Sequence, residues 1–257
     1  MIRNILVVNK SGITLFEQEF VDGIDSGKTR ILGGLVTAMM HKAKLNTGMP
    51  VSYLEMDHIA MALAVSANDG VTTVVVHDAD DGEIFGKLIC ETVLRAFIDA
   101  FAATLRTAQD SGAVQPDEFR TFQYSLKGVF DACLPPVLAR MATERGVLQA
   151  FLVAEQQMTP PNASVDRLAI VVNLESLLDD ADSIMNFRRD HCSSIHLESD
   201  EALLSVHRIQ GLALVVKFSR SVAASQRTRV MRKYLPLLQT VLSQASLASR
   251  HFSATER

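Results

Sequence analysis

The stretch that decides the fold lies at residues 59–77, IAMALAVSANDGVTTVVVH. Two apolar runs, 59–66 and 71–77, flank the segment Ala67-Asn68-Asp69-Gly70. An Asp-Gly pair between two such runs is a strong signal for a β-hairpin, because these residues tolerate the positive φ of a tight turn. A third strand-like run precedes them at 51–57. Together the three runs predict an antiparallel meander.

The flanking sequence extends this sheet on the N-terminal side and adds helices. Residues 2–20 predict a hairpin that turns at Lys10-Ser11-Gly12. Helical spacing follows at 29–45, and a second helix is predicted from Glu83 to about Leu105. The predicted packing face of the first helix holds five apolar residues, Ile31, Leu32, Leu35, Ala38 and Met39. The order β-β-α-β-β-β-α favours an antiparallel sheet with helices against it over a Rossmann arrangement.

The second half has a similar order of elements, without any residue-level repeat of the first. Helical sequence at 118–154 is predicted to break at Pro135-Pro136. The elements predicted after it are a strand at 168–172, a helix at 174–187, strands at 194–198, 203–209 and 212–218, and a closing helix at 226–248. Pro236 predicts a kink or a short restart within that last helix.

Composition excludes several classes of protein. The 257 residues are 48% hydrophobic and 21% charged, which is ample for a packed core and rules out wholesale disorder. No uninterrupted apolar run approaches the roughly 18–20 residues that span a bilayer, and the N-terminal sequence predicts no secretory signal. The three widely spaced cysteines predict reduced thiols in an intracellular protein. A net charge of −4 gives no argument for a nucleic-acid partner.

One motif suggests nucleotide binding, Asp25-Ser26-Gly27-Lys28-Thr29. A P-loop needs a glycine five positions before Gly27, but Asp22 stands there and would set a carboxylate against the phosphates. The alternative interpretation is that Asp25 or Ser26 caps a helix N-terminus. Nucleotide binding through Lys28 therefore stays as the alternative function, while capping is the favoured interpretation.

Two further groups of residues suggest metal or catalytic chemistry and lack what that chemistry requires. The acidic run from His77 to Glu83 lacks the closing ligand of a calcium loop, since Leu88 stands at that position. His191, Cys192 and His196 do not make up a four-ligand site, and a nucleophile would need a base and an orienting partner as well. We therefore expect no catalytic residue, no metal and no cofactor.

The closing helix carries a basic face. Between residues 217 and 250 the charged residues are all cationic. Arg227, Arg229, Arg232 and Lys233 are the candidate contacts with an acidic partner or with anionic lipid. A solvated face balanced by acidic residues elsewhere explains the same pattern, and both interpretations remain open.

Two stretches resemble known families. IRNILVVNKSGITLFEQEF, GVTTVVVHDADD and FGKLICETVLRAFIDAF, within residues 1–106, resemble a longin domain. EALLSVHRIQGLALVVKFSRS followed by RTRVMRKYLPLLQTVL, within about 165–248, resembles the related roadblock module. The resemblance implies sheets flanked by helices, pairing with like domains, and a role in small-GTPase regulation and membrane trafficking. No active-site residue transfers from it.

From these observations we predict an α+β protein of two tandem α-β-α sandwich modules on antiparallel sheets. The predicted divisions are a longin-like domain at 1–106, a helical connector at 107–164, a roadblock- or longin-like domain at 165–250 and a tail at 251–257. The predicted function is that of a non-enzymatic adaptor or scaffold subunit of a cytoplasmic complex, in peripheral contact with endomembranes. Its predicted partners are a small GTPase or sister longin and roadblock subunits in a hetero-oligomer of the guanine-nucleotide exchange type.

Overall fold

The computed structural model describes residues 1–20, 26–111, 115–154, 157–159, 174, 177, 179–181, 183–184 and 192–253. Packing divides the chain into two compact units, Met1–Cys133 together with the segment from Thr240 onward, and Leu134–Gln239. The domain boundaries predicted at 106, 164 and 250 stay predictions. Each unit is built on one antiparallel sheet, and each is described by itself below.

The first unit contains a five-stranded sheet and two long helices. Its strands are β1 (Ile2–Asn9), β2 (Thr14–Glu19), β3 (Tyr53–Glu55), β4 (Ile59–Ser66) and β5 (Val71–Asp78), and its helices are α1 (Ser26–Thr47) and α2 (Gly82–Ser111). The strand order is β2-β1-β5-β4-β3, with every neighbouring pair antiparallel. The predicted order β-β-α-β-β-β-α is thus confirmed.

Both predicted hairpin turns are present, and one residue in each explains its geometry. Asn9 Oδ1 accepts hydrogen bonds from the backbone N–H groups of Ser11 (3.0 Å) and Ile13 (2.9 Å). Gly70 adopts a φ of +63°, a left-handed conformation that glycine reaches without steric cost. These turns set the register of β1 against β2 and of β4 against β5.

Helices cover both faces of the first sheet. On one face, Val36 of α1 packs in a cluster with Leu6, Leu63 and Val74 of the sheet. On the other face, the buried Cys90 thiol of α2 donates to the backbone oxygens of Ala62 (3.3 Å) and Thr73 (3.2 Å). The predicted α-β-α sandwich is therefore the observed architecture of this unit.

Five phenylalanines join the second face to the segment that follows α2. They are Phe16 of β2, Phe97 and Phe101 of α2, and Phe119 and Phe122 of the 3₁₀ helix Pro116–Ser125. Phe97 stacks on Phe119 at 5.4 Å, and Phe16 meets Phe122 edge to face at 5.1 Å. Such aromatic pairs contribute about 0.5–1.5 kcal/mol each beyond burial, so this cluster anchors the chain after α2.

The face of α1 that packs on the sheet differs from the predicted one. The prediction placed Leu35 and Ala38 on that face, but Leu35 is 61% exposed and Ala38 is also exposed. Leu32 packs against the sheet as predicted, but it does so together with Val36 and Met40. The helix carries apolar residues on two faces, so helical spacing alone could not say which face is covered.

The second unit repeats the sheet order of the first. Its strands are β6 (Val147–Ala154), β7 (Gln157–Thr159), β8 (Ser194–Glu198), β9 (Ala202–Ile209) and β10 (Leu212–Ser219). They lie in the order β7-β6-β10-β9-β8, again antiparallel throughout. Helix α3 (Leu126–Ala142) precedes the sheet, and helix α4 (Ala224–Ser253) follows it.

For the second half, two predictions were wrong and a third falls outside the described residues. Residues 147–154 form the strand β6, where a helix was predicted, because their nearly continuous apolar run suits a buried strand as well as a helix. Helix α3 continues through Pro135 and Pro136, where the burial of Leu134 and Val137 offsets the lost backbone donors. The predicted strand at 168–172 falls outside the described residues.

The other elements of this half agree with the predictions. The three strands β8, β9 and β10 are present, and Gly211 in their last turn has a φ of +83°. Within the predicted helix at 174–187 the described residues are helical, and Leu174 packs on one face of the sheet with Phe151 and Val206. Helix α4 is continuous through Pro236, so the restart predicted there is wrong, and the alternative of a kink stays a prediction.

Gly86 allows α2 to lie close against the first sheet. A Cβ at this position would stand 2.2 Å from His77 Nε2 and 3.1 Å from the Cβ of Ala62. His77 is fully buried and donates from Nδ1 to its neighbouring backbone oxygen of Asp78 at 2.8 Å, so its ring has little freedom to move away. The absence of a side chain at residue 86 is thus a condition of this packing.

We predict that Gly86→Ala lowers the unfolding free energy by about 1–3 kcal/mol, the usual cost of overpacking a core. Gly128→Ala is the matched control, because Gly128 is exposed on α3 and a Cβ there meets nothing within 4 Å. That change should raise the unfolding free energy by up to about 1 kcal/mol through helix propensity. Chemical denaturation measures both, and a Gly86→Ala protein as stable as wild type would contradict the packing described.

Candidate functional site: a basic groove beside helix α4

The candidate site is a groove of about 630 Å³ between α4 and the β8–β9 side of the second sheet. Its apolar walls come from Leu203 and Phe218 of the sheet and from Met231 and Leu235 of the helix. The polar lining comes from six residues, His196, Ser205, His207, Arg227, Thr228 and Arg232. The volume falls in the range of small-molecule sites.

A serine hydroxyl links two imidazole rings at the base of this groove. Ser205 Oγ lies 2.9 Å from His196 Nδ1 and 2.8 Å from His207 Nε2, and the two rings meet nearly edge to face at 5.6 Å. The hydroxyl has a single proton, so it can donate to only one of the two rings at a time. The three side chains form one hydrogen-bonded group.

Strand register accounts for this grouping. His196 stands opposite Ser205 across the β8–β9 pair, and His207 follows Ser205 by two residues on the same face. From the sequence, His196 was a candidate only together with Cys192 and His191. In the structure, the Cys192 thiol donates to the backbone oxygen of Ser194 at 3.4 Å, and His191 lies outside the described residues.

This serine lacks the surroundings of an activated nucleophile. Ser205 is only 2% exposed, and its hydroxyl is shared by two rings that stand on the same sheet. A nucleophile needs an accessible oxygen together with an oriented base. The arrangement is suited to binding through hydrogen bonds rather than to covalent chemistry.

The four predicted basic residues occupy three different environments. Arg227 and Arg232 line the groove, and within the described part of the chain neither pairs with a carboxylate. Arg229 is exposed on the same helix but does not line the groove. Lys233 forms an ion pair with Glu144 of the second unit. The prediction that all four contact a partner or a membrane stays a prediction.

The Lys233 pair fastens α4 to the turn before β6. The ammonium group of Lys233 donates to Glu144 Oε1, and the buried Tyr234 hydroxyl donates to the same oxygen at 2.9 Å. The bond from Lys233, followed by that from Tyr234, holds the pKa of Glu144 below its usual range. The pKa of Lys233 is raised in return, chiefly by the bond to Glu144.

In the acidic run from His77 to Glu83, Asp78 forms an ion pair with Arg3 at 2.6 Å. Within the described ranges no cluster of three metal-ligating side chains occurs, and no helix of those ranges is long and apolar enough to cross a membrane. Helix α1 begins at Ser26, but Asp25 and the side chains of Gly27, Lys28 and Thr29 lie outside what the structure describes. The nucleotide alternative therefore stays a prediction.

Comparison with known proteins gives matches among solved structures alone. No protein-family model and no curated protein matches the chain. Myxococcus xanthus MglB aligns at 13% identity with a TM-score of 0.38, over 43% of this chain and 94% of its own. A Roadblock/LC7 domain from Streptomyces avermitilis aligns at 15% identity with a TM-score of 0.32, over 42% and 94%. A homology model of the full-length AP-3 complex aligns at 14% identity with a TM-score of 0.33, over 73% and 99%.

The resemblance in sequence to longin and roadblock domains implied antiparallel sheets with helices packed against them. The structure has this architecture, with one five-stranded antiparallel sheet in each unit. Its two sheets share one strand order, and this internal repetition allows equivalent positions of the two units to be compared through strand register.

We predict that Glu144→Gln lowers the unfolding free energy by about 1 kcal/mol or less at neutral pH, because the pair is partly solvent-exposed and screened. A carboxylate whose folded pKa is depressed stabilises the fold above its unfolded pKa, and this stabilisation disappears as the pH falls through the folded pKa. The difference from wild type should therefore vanish in acid. Glu201→Gln, at an exposed position of the same unit, is the control. A pH-independent difference in urea unfolding would argue against the ion pair.

We also predict a pH dependence from His207. Burial, followed by the charge of His196, lowers the pKa of His207. The folded state therefore binds a proton less readily than the unfolded state, and stability falls as the pH drops below about 6.5. In His207→Gln this slope should be smaller between about pH 7 and pH 5, whereas His41→Gln, on the exposed side of α1, should keep it. Equal slopes in both variants would contradict the burial of His207.

Proposed function

We propose that the chain is a non-enzymatic adaptor or scaffold subunit that assembles with other longin or roadblock subunits and engages a small GTPase. The resemblance in sequence to longin and roadblock domains supports this role, because it implies that such domains pair with one another. Assembly into a hetero-oligomer in the cytoplasm, in peripheral contact with endomembranes and of the guanine-nucleotide exchange type, is the finer form of the proposal.

The observation that carries the proposal is an exposed apolar stripe on helix α1. We call Leu35, Leu45 and Met49 the α1 stripe, and they are 61%, 71% and 69% exposed. Positions 35, 38, 42 and 45 recur every three or four residues, so they follow one side of α1, and Met49 lies two residues beyond the end of the helix. The opposite side of α1 already packs on the first sheet through Val36.

An apolar stripe that the fold itself does not need favours a protein partner. Burying a leucine side chain contributes roughly 1.5–3 kcal/mol, so two leucines and a methionine suffice as the centre of an interface. Exposed positions between them, such as Lys42, would stand at its polar rim. Helix-to-helix or helix-to-sheet docking on α1 fits this arrangement.

The proposal predicts that Leu35→Glu combined with Leu45→Glu abolishes stoichiometric assembly without unfolding the chain. The full tagged chain is purified together with its partners, and native mass spectrometry gives the stoichiometry. Purified small GTPases, loaded with GDP or GTP, are then tested for direct binding by calorimetry.

Ile84→Glu is the matched control, because Ile84 is an exposed apolar residue on α2 and away from the α1 stripe. A wild-type chain that stays monomeric and binds no longin, roadblock or GTPase partner would refute the proposal. Unchanged assembly in the double variant would refute the α1 stripe as the interface.

A further inference from the structure

The groove beside α4 is a feature that the proposed function does not use. Its lining contains cationic, neutral polar and apolar side chains and no carboxylate. Arg227 is half-buried and Arg232 is exposed, and neither has an acidic partner among the described residues. By contrast, Lys233 pairs with Glu144 and Arg220 with Asp200 in the same unit. The groove lining thus carries two positive charges without a carboxylate beside them.

Comparison of the two units explains why the groove is open. The register Tyr53–Ala62–Val75 in the first sheet corresponds to His196–Ser205–Val216 in the second. In the first unit, small residues on β4 and Gly86 on α2 let helix and sheet meet without a gap.

The second unit has larger side chains at the equivalent positions. Leu203 and His207 stand where the first unit has Ala60 and Ala64, as counted along the paired strands. Helix α4 contains no glycine and presents Thr228 and Met231 toward the sheet. Larger side chains on both sides hold the helix away from the outer strands, and the space between them is the groove.

The size and lining of the groove select one class of occupant. A volume of about 630 Å³ lies in the range of small-molecule sites. An extended acyl chain fits between apolar walls such as Phe218 and Leu235. Its acidic head would meet the guanidinium groups, which bind carboxylates through two parallel hydrogen bonds.

We propose that the groove binds a long-chain fatty acid as its anion. The acyl chain lies along the apolar walls, and the carboxylate binds to Arg227 and Arg232. His196 and His207 line the base of the groove. The site is independent of the α1 stripe, so each of the two proposals can fail without the other.

The test measures saturable binding of palmitate to the full chain by calorimetry, with hexadecanol as the uncharged comparison. Palmitate should bind at one site per chain and at least tenfold more tightly than hexadecanol. Arg227→Gln or Arg232→Gln should each weaken palmitate binding about tenfold, as the loss of one charge-assisted contact predicts. Arg232→Lys keeps the charge and should recover part of the loss.

Two controls separate a groove from a general basic surface. Arg229→Gln removes a charge from the same helix outside the groove and should change the affinity less than twofold. Thr228→Trp fills the groove from an exposed position and should abolish binding, while circular dichroism and urea unfolding confirm that the variant folds.

Four results would overturn the proposal. They are the absence of saturable palmitate binding, equal affinity for hexadecanol, an equal loss in Arg229→Gln, and full affinity in a folded Thr228→Trp protein. Binding that occurs only to vesicles containing anionic phospholipid, and that all three arginine changes weaken alike, would show a flat basic surface in place of a site.

Discussion

The pairing of the first strand of each unit with its last strand is the constraint on which the rest of the structure depends. β1 lies between β2 and β5, and β6 lies between β7 and β10. The central residues of these strands, such as Val7 and Val215, are fully buried. Because a central strand of this kind is buried on both faces, each sheet needs cover on both sides. The helices between the second and third strands and after the fifth strand meet that need in the first unit.

Local signals in the sequence predicted most elements of this architecture, and the failures have identifiable physical causes. Asp69-Gly70 and Lys10-Ser11-Gly12 marked turns whose geometry is set within a few residues. Residues 147–154 carry no such signal, because an apolar run without alternation suits a helix and a buried strand equally until its pairing partner is known. The packing face of α1 failed for a related reason. Leu35 and Val36 are both apolar, and only the tertiary structure decides which one is covered.

The candidate site was partly predictable. The basic start of the last helix was visible in the sequence, but its division between Arg227, which lines the groove, and Lys233, which pairs with Glu144, depends on contacts almost ninety residues apart along the chain. To predict the hydrogen-bonded link from His196 through Ser205 to His207, the strand register is needed in addition to the sequence pattern. The register of β8 against β9 brings the first two residues opposite each other, and the period of two along a strand adds the third.

The same face of the sheet is packed differently in the two units. Where the strands carry Ala60 and Ala62 and the helix carries Gly86, helix and sheet close on each other, and His77 is buried in the contact. Where they carry Leu203 and Ser205 beneath a helix without glycine, the same two layers leave a cavity with a polar base. An unpaired hydroxyl would be costly there, and the buried hydroxyl of Ser205 is satisfied by His196, which is exposed, and His207. The side-chain volume at a few paired positions thus decides whether this face of the sheet contributes to stability or remains free to bind a ligand.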